Sequence, residues 1–484
     1  MKRIIAMLLA VVTAAGMLAA CGAKPAETTL PADETQQAAD DGIPTLIWYQ
    51  VGGGQPENYE SWQEKVNAYL VEQLGIRLDV RVVEFGDWDN IRSVAVRTGK
   101  PFDLMFTDMA TYTADVGMGA FADITELMEE VPGLTELIPQ AYLDSCRIGG
   151  KLYGIPCYKD SSMTNFFVWT KQDVQNQFPG YADAHTLADI DQGLRAVAKA
   201  TGQPPLFLNQ DGLTGIVSNK YDACTLGNIG IGIAYRGGTE FVPVFEQADV
   251  LAELALLQSW MNDGLINSDA AIRSDVNGAG SLSIAQGWPS AAKVWGENRG
   301  VEVAVSRFGE TVVSNDTVLG SITCISSGSQ HKLEALKLLE LVNTDGKLRD
   351  MLWYGEEGVN FRYVEENGLR RVEKLNSGWT MAAYTQGTFF VVTPEVGSEG
   401  YGEIQQQNET AIASPAFGFI PDTTQIRGQI EAVKAVYEEY KHLIMTGTCG
   451  QSEIESMMAD MREAGFDTIL NEVNAQYDAW LAEK

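Results

Sequence analysis

Histidine and cysteine are scarce in this sequence, with three histidines and six cysteines among 484 residues. The histidines (His185, His331 and His442) lie far apart, and none has a second metal-binding side chain at ligand spacing. No CxxC pair occurs, and the five cysteines after Cys21 are an odd number that cannot all pair within one chain. We therefore predict buried free thiols, no metal, no cofactor and no Ser-His-Asp triad.

Basic residues are also few. Lys and Arg number 34 against 65 Asp and Glu, which gives a net charge of -31. Such a charge argues against binding to nucleic acid or to an anionic lipid surface. It is explained well enough by solubility and does not identify a ligand. The hydrophobic content of 45% is that of a folded globular protein, and the length predicts two or three domains.

The first hydrophobic run is short and ends in small residues. Lys2 and Arg3 precede an apolar segment over 4–18, which closes with Leu18-Ala19-Ala20-Cys21. This pattern is typical of a secretory signal, and the run is too short for a stable membrane span. The last four residues resemble a bacterial lipobox, whose cysteine is lipidated; the alternative is an ordinary signal peptide with a chance cysteine. We predict a lipoprotein signal over 1–20, lipidation of Cys21, a flexible acidic spacer over 21–42, and anchoring at the outer face of the bacterial cytoplasmic membrane.

Three strand-like runs follow the spacer, with helical patterns between them. They cover 45–51, 77–85 and 102–107, an order that predicts a parallel open sheet. Gly52-Gly53-Gly54 follows the first run but is not part of a nucleotide-binding motif. Because ligands bind beyond the carboxyl ends of such strands, we expect ligand contacts from these ends. The candidates are Trp48, Gln50, Asp87, Trp88, Thr107 and Asp108. Trp48 is equally consistent with a core residue and Asp108 with a helix cap.

Two turn-rich stretches suggest passages of the chain between domains. Gly150-Lys151-Leu152-Tyr153-Gly154-Ile155-Pro156 ends at a proline, and a new strand pattern starts at Met163. Gly287-Trp288-Pro289 suggests a second passage. The remainder is mostly helical, and its aromatic stripes are interpreted as core.

The order of these segments resembles that of extracellular solute-binding proteins of ABC importers. The strand Thr323-Cys324-Ile325-Ser326 with the helix after it matches the family's late strand-helix unit. The stretches at 355–361 and 415–419 are similar to the LplA-type lipoprotein branch, which carries a C-terminal region called DUF3502. The resemblance implies an α/β, two-lobed, periplasmic-binding-protein-like fold, each lobe a sheet flanked by helices, with a hinge between lobes. Lobe one would comprise 43–156 plus 288–326, and lobe two 157–287 plus 327–484.

The resemblance also implies a function. A monomeric, non-enzymatic protein would hold a sugar or oligosaccharide between the lobes and deliver it to a membrane permease. Sugar binding needs aromatic rings beside carboxylates and amides. On that criterion the predicted ligand-binding residues are Trp48, Gln50, Asp87, Trp88, Asp108, Tyr158, Asp160, Tyr235, Trp288, Asn360 and Trp379. Tyr235 is also compatible with an exposed turn and Trp288 with hinge packing. Binding of a peptide or another polar solute, or surface glycoside hydrolysis by two carboxylates, remain as alternatives.

Overall fold

The computed structural model describes residues 41–276 and 280–484, so Cys21, the signal segment and most of the spacer lie outside the described residues. The chain divides into two units, Met1–Gly42 and Ile43–Lys484, and every element below belongs to the second. None of its described helices combines the length and the apolar character needed to cross a membrane.

The described strands and helices alternate over the first third of the chain, and helices dominate the last third. The strands are β1 (Thr45–Gly52), β2 (Arg77–Glu84), β3 (Leu104–Thr107), β4 (Arg147–Ile148), β5 (Lys151–Leu152), β6 (Gly154–Pro156), β7 (Met163–Thr170), β8 (Tyr221–Asp222), β9 (Ile231–Ala234), β10 (Val242–Pro243), β11 (Leu282–Gln286), β12 (Val303–Val313), β13 (Ile322–Ile325), β14 (Phe361–Glu366), β15 (Leu369–Lys374) and β16 (Ile412–Ala413). The α-helices are α1 (Tyr59–Leu74), α2 (Trp88–Thr98), α3 (Met109–Gly117), α4 (Pro132–Leu137), α5 (Gln140–Ser145), α6 (Lys171–Val174), α7 (Leu187–Thr201), α8 (Gly215–Ser218), α9 (Ala248–Asn262), α10 (Ala292–Arg299), α11 (Asn315–Val318), α12 (Lys332–Thr344), α13 (Gly346–Tyr354), α14 (Gly402–Thr410), α15 (Arg427–Ile444), α16 (Gln451–Glu463) and α17 (Phe466–Glu483).

The first sheet has the order β2-β1-β3-β13-β6. β1 pairs in parallel with β2 and β3, as the sequence predicted, whereas β13 runs antiparallel to both β3 and β6. Most of β1 is buried, because helices cover both faces of a parallel sheet. Such a strand is therefore a continuous apolar run. Trp62, Val66 and Leu70 face this sheet from α1 at helical spacing.

The second sheet has the order β11-β7-β12-β16. β7 pairs antiparallel with β11 and with β12, which pairs in parallel with β16. A large core lies against this sheet and includes Phe167, Trp169, Trp260 and Tyr477, all buried. The terminal helices contribute to the same core, which confirms the interpretation of their aromatic stripes.

The chain passes between the two sheets three times. It leaves the first sheet at 157–162, between β6 and β7, and returns at 314–321, between β12 and β13. Helix α12 packs on β13 and α1, so the chain after β13 stays beside the first sheet. β16 belongs to the second sheet, and the third crossing, at 393–411, leads to it. The crossing predicted at 287–289 is wrong, because β11 and β12 on either side of it both pair with β7.

The predicted lobe boundaries differ from this arrangement in two segments. β12 was grouped with the first sheet but pairs with the second. Residues after 327 were grouped with the second sheet, yet α12 packs against the first, and Gly52 at the end of β1 pairs with Met381. Sheet membership depends on pairing between distant segments, so the local hydrophobic pattern of a strand does not reveal it.

Candidate functional site

The carboxyl edge of the first sheet is where two of the three crossings meet this sheet. β1 ends there at Gly52, β2 at Glu84 and β3 at Thr107. β6 also ends there, because β3 and β6 are both antiparallel to β13. The first crossing begins at this edge and the second ends at it, so the second sheet continues from it. We call this surface the carboxyl edge.

A late segment of the chain fills the space beside Gly52. The Gly53 N–H donates to the Thr380 carbonyl (2.8 Å), and the Thr380 hydroxyl donates to the Gly54 carbonyl (2.7 Å). A Cβ on Gly52 would lie 2.5 Å from the Thr380 oxygen. Glycine is therefore required because another backbone segment approaches it.

Two aromatic side chains at this edge are strongly exposed. Phe85 directly follows β2 and is 58% exposed; Tyr384 follows the segment paired with Gly52 and is 45% exposed. The Phe85 N–H donates to the Gly52 carbonyl (3.1 Å), so both rings belong to backbone bonded to the same strand end. Neither residue is among those predicted from the sequence. The position of Phe85 at a strand end was available as a signal, whereas Tyr384 comes to this edge only through the pairing of Gly52 with Met381.

The predicted polar residues occupy different positions around the carboxyl edge. Asp87 is exposed at the start of α2, and its side chain makes no capping bond. Asp108 is half-buried and accepts from the Ala110 N–H (3.1 Å), so it caps α3. Asp160 lies in the first crossing and pairs with Lys159 (2.8 Å). These three carboxylates leave oxygens available to donors in this region.

Gln50 is fully buried beneath the same edge. Its Oε1 accepts from the Thr385 hydroxyl (3.0 Å), and its Nε2 has no partner among the described residues. Gln50 therefore supports the segment that carries Tyr384 and is not exposed to a ligand in this structure.

The predicted aromatic residues are mostly covered. Trp48 is fully buried in β1, so the structure contradicts a ligand contact there and supports the core alternative. Trp88 is 6% exposed and packs on Phe106, with ring centroids 5.5 Å apart. Tyr158 is buried against Phe390. Trp288 is half-buried, directly after β11.

Asn360, Trp379 and Tyr235 lie apart from that group. Asn360 is buried and accepts from the Asn58 side chain (2.8 Å), and the Trp379 indole donates to the Leu352 carbonyl (3.0 Å). Both residues link helix α1 to the region around the β14–β15 hairpin. The stretch at 235–238 does contain a turn with Arg236 and Gly237 exposed, as its alternative held, but the Tyr235 side chain itself is buried beside β8.

Helix α14 joins the crossings. Asn408 accepts from the Ser162 N–H (3.0 Å) and donates to the Lys159 carbonyl (2.5 Å), so it holds the first crossing at its middle and at its last residue. One turn earlier, Glu403 accepts from the Ser290 N–H (2.8 Å) in the loop that carries Trp288. Tyr158, Asp160 and Trp288 are thus all connected to elements held by one helix.

The described residues contain no cluster of three or more His, Cys, Asp or Glu side chains that could hold a metal ion. The five described cysteines are free thiols, four of them buried, as predicted. Burial raises the pKa of the Cys157 thiol and so favours its uncharged form.

Comparisons with known proteins agree with this architecture. A family described as "Domain of unknown function (DUF3502)" matches residues 415–482. A protein of Streptococcus pneumoniae serotype 4 (strain ATCC BAA-334 / TIGR4), named carbohydrate ABC transporter substrate-binding protein, is 25% identical over 500 residues, which is 98% of this chain and 97% of the relative.

Solved structures of the N-glycan transport solute binding protein (NgtS) from Streptococcus pneumoniae share the fold. The structure whose name mentions no glycan is 22% identical, covers 91% of this chain and 99% of its own, and has a TM-score of 0.80. The complex with Man1GlcNAc is 21% identical, covers 91% and 100%, and has a TM-score of 0.69. The complex with Man5GlcNAc is 22% identical, covers 91% and 99%, and has a TM-score of 0.67. The resemblance inferred from the sequence and the two-lobed α/β fold are both confirmed.

Proposed function

We propose that this protein is the substrate-binding lipoprotein of an ABC importer and captures a sugar or oligosaccharide between its two lobes. The observation that carries the proposal is the pair of exposed rings, Phe85 and Tyr384, at the edge where the first crossing begins and the second ends. Relatives named as carbohydrate and N-glycan binders support the class of ligand.

The chemistry of the carboxyl edge suits a sugar. Flat C–H faces of sugar rings pack on aromatic side chains, and their hydroxyls donate to carboxylates. The rings of Phe85 and Tyr384 supply the first contact, and Asp87, Asp108 and Asp160 supply acceptors. We propose that the bound sugar is released unchanged, as in a transport component, and not cleaved.

The comparison with NgtS supports closure of the lobes on the ligand. The TM-score is 0.80 against the structure whose name mentions no glycan, and 0.69 and 0.67 against the two glycan complexes. We propose that this structure is the open form and that a glycan stabilises a closed one. A ligand shifts this equilibrium only by its preference for the closed form. Two-lobed binding proteins of transporters are the standard example of hinge closure.

The N-terminal residues complete the proposal. A signal over 1–20, lipidation at Cys21 and a spacer over 21–42 would hold a monomer at the outer face of the membrane, beside the permease that receives the solute. The permease then recognises the closed shape.

Isothermal titration calorimetry with a panel of neutral oligosaccharides tests the proposal. Phe85→Ala and Tyr384→Ala are each expected to weaken binding by about tenfold, or ~1.4 kcal/mol, because each removes an exposed ring. Leu369→Ala is the matched control, since Leu369 is 55% exposed on the β14–β15 hairpin.

Other outcomes separate the alternatives. If titration with peptides releases or absorbs heat and titration with every glycan does not, the ligand is a peptide and not a sugar. If the calorimeter cell contains shorter glycans after the titration, and the Asp160→Asn variant produces none, the protein is a hydrolase. Unchanged affinity in both aromatic variants would place the glycan elsewhere.

A further inference from the structure

A cleft separate from the carboxyl edge lies between α1, α13 and the β14–β15 hairpin. Its volume is about 370 Å³, within the range of about 300–1,000 Å³ that is usual for small-molecule sites. All of its lining residues belong to the first-sheet side of the molecule, and they include neither Phe85 nor Tyr384. The cleft is therefore complete without any contribution from the second sheet.

The floor and walls of this cleft are largely aromatic. Trp62 is fully buried, and its indole donates to a backbone carbonyl of α13 (2.8 Å). The Tyr69 hydroxyl donates to Asp345 (3.0 Å), and the Tyr363 hydroxyl donates to Asp350 (2.9 Å). Neither aspartate lines the cleft. The two phenol rings are thus fixed by groups outside the cleft and contribute their apolar surface to it.

Two basic side chains of the lining lie against these rings. The Lys347 ammonium is 4.2 Å from the ring centroid of Tyr69, and the Arg370 guanidinium is 3.4 Å from that of Tyr363. Both side chains are exposed, and in the part of the chain that the structure describes neither forms an ion pair. An aromatic face attracts a cation but carries no net charge, so both positive charges remain available to an anion.

The aspartates bonded to the phenols have other donors as well. Asp345 also accepts from the Leu348 N–H (2.7 Å). Asp350 also accepts from the N–H (2.8 Å) and the hydroxyl (2.6 Å) of Thr393. The charge of Asp350 attracts Arg370, which helps to hold the guanidinium on the ring without placing an acceptor inside the cleft.

The carboxylates that do line the cleft offset only part of its positive charge. Glu356 pairs with Lys65 (2.6 Å), so these two charges cancel. Glu357 is exposed and forms no ion pair among the described residues. Three basic and two acidic side chains therefore leave the lining with a single net positive charge. This is the opposite sign to the chain as a whole, whose net charge is -31.

We propose that this cleft binds a sugar acid, a pyranose ring that carries a carboxylate. Lys347 and Arg370 receive the carboxylate, because charge-assisted hydrogen bonds from ammonium and guanidinium groups are the strong ones. The C–H face of the sugar packs on the aromatic floor, and a ring hydroxyl donates to Glu357. A single net positive charge suits a monoanion, and the free Glu357 carboxylate disfavours a dianion such as a phosphate monoester.

This site goes beyond the proposed function, because it does not lie between the lobes. A glycan held at the carboxyl edge contacts both lobes, whereas a sugar acid in this cleft contacts the first-sheet side alone. The two ligands are therefore expected to bind without excluding each other.

Saturation-transfer NMR on the full chain, with D-glucuronate as the probe, tests the site. Lys347→Gln and Arg370→Gln are each expected to weaken glucuronate binding by about two- to fivefold, because each removes one exposed charge pair. Glucose lacks the carboxylate and should bind about fivefold more weakly than glucuronate, or worse. Lys434→Gln is the matched control: it removes the same charge from an exposed position on α15 and should keep the wild-type affinity.

Several results would overturn the inference. One is wild-type affinity for glucuronate in both Lys347→Gln and Arg370→Gln, and another is no glucuronate binding at all. Loss of glucuronate binding in Phe85→Ala would place the sugar acid at the carboxyl edge. Glucose or inorganic sulfate binding as tightly as glucuronate would show that the combination of carboxylate and ring is not recognised.

The design also separates this site from the proposed function. Lys347 and Arg370 are both exposed, so their variants are expected to fold, and melting temperatures check this. If one variant does not fold, the other decides. Calorimetry with neutral oligosaccharides does not involve this cleft, so failure of the sugar-acid site is distinguishable from failure of glycan capture between the lobes.

Discussion

Arg349 is the most thoroughly buried basic residue described, and removing it should destabilise the wall of the candidate site. It lies in α13, is fully buried, and has its guanidinium 4.9 Å from the ring centroid of Trp353. It donates to the carbonyls of Thr388 (2.8 Å), Ala383 (2.8 Å) and Gly387 (3.1 Å). Burial lowers its pKa to about 10, which still leaves it charged at neutral pH.

The expected magnitude follows from what Arg349→Met leaves behind. Each hydrogen bond to a charged group contributes about 1.5–3 kcal/mol, but these values are not additive, and loss of the charge also removes a desolvation cost. Three carbonyls lose their hydrogen-bond donor, and each one that water does not reach destabilises the folded state by about 1–3 kcal/mol. We expect the free energy of unfolding to fall by about 3–5 kcal/mol. Arg349→Lys should recover less than half of this, because an ammonium cannot reproduce the planar fork.

Urea unfolding measures this change, and limited proteolysis locates it. We expect new cleavage within 383–388, the segment whose carbonyls Arg349 holds and which contains Tyr384. Arg362→Met is the control: Arg362 pairs with Glu373 on an exposed hairpin, with 57% of its side chain accessible, and should cost about 0.5 kcal/mol or less. A loss of less than about 1 kcal/mol for Arg349→Met would show that the carbonyls are satisfied without it and would refute the reasoning.

The remaining predictions concern the carboxyl edge and its supports. Gly52→Ala should lower the urea midpoint, because its Cβ would lie 2.5 Å from the Thr380 oxygen, whereas Gly117→Ala, with no atom within 4 Å, should not. Trp88→Ala should lower the free energy of unfolding by about 3 kcal/mol, because the Trp88 ring is buried. Phe85→Ala should leave stability unchanged, so the glycan affinity of the Trp88 variant is compared with that of the Phe85 variant. Asn408→Leu removes the two bonds from α14 to the first crossing, and its glycan affinity by calorimetry should change although Asn408 is 8% exposed; an unchanged affinity would argue against a hinge at α14.

Those features of the fold that depend on local pattern could be predicted from the sequence. β1 and β3 are short apolar runs, β2 alternates, and helices lie between them; a run buried on both faces leaves few alternatives to a parallel sheet. The boundary at Pro156 was visible as a change of pattern. The sheet to which β12 belongs was not, because its pairing partner β7 lies far earlier in the chain.

The candidate site was harder to predict than the fold, for a related reason. A tryptophan beside an aspartate suggested a ligand contact at Trp88, but whether a ring is covered depends on the strand behind it, here the one that carries Phe106. Tyr384 is exposed at the carboxyl edge because Met381, three residues earlier, pairs with Gly52. No spacing in the sequence encodes that contact.

Gln50 shows how a residue predicted for ligand contact can influence the site indirectly. It accepts from the Thr385 hydroxyl (3.0 Å) from below, while Arg349 holds the carbonyls of the same segment from α13. Both supports are fully buried, and neither reaches solvent. If they fix Tyr384 in advance, their loss should weaken glycan binding by raising the cost of ordering the ring, and not by removing a contact. Gln50→Ala should therefore weaken binding of every glycan by the same factor, whereas Tyr384→Ala should change the ranking of glycans that differ at the sugar unit packed on the ring.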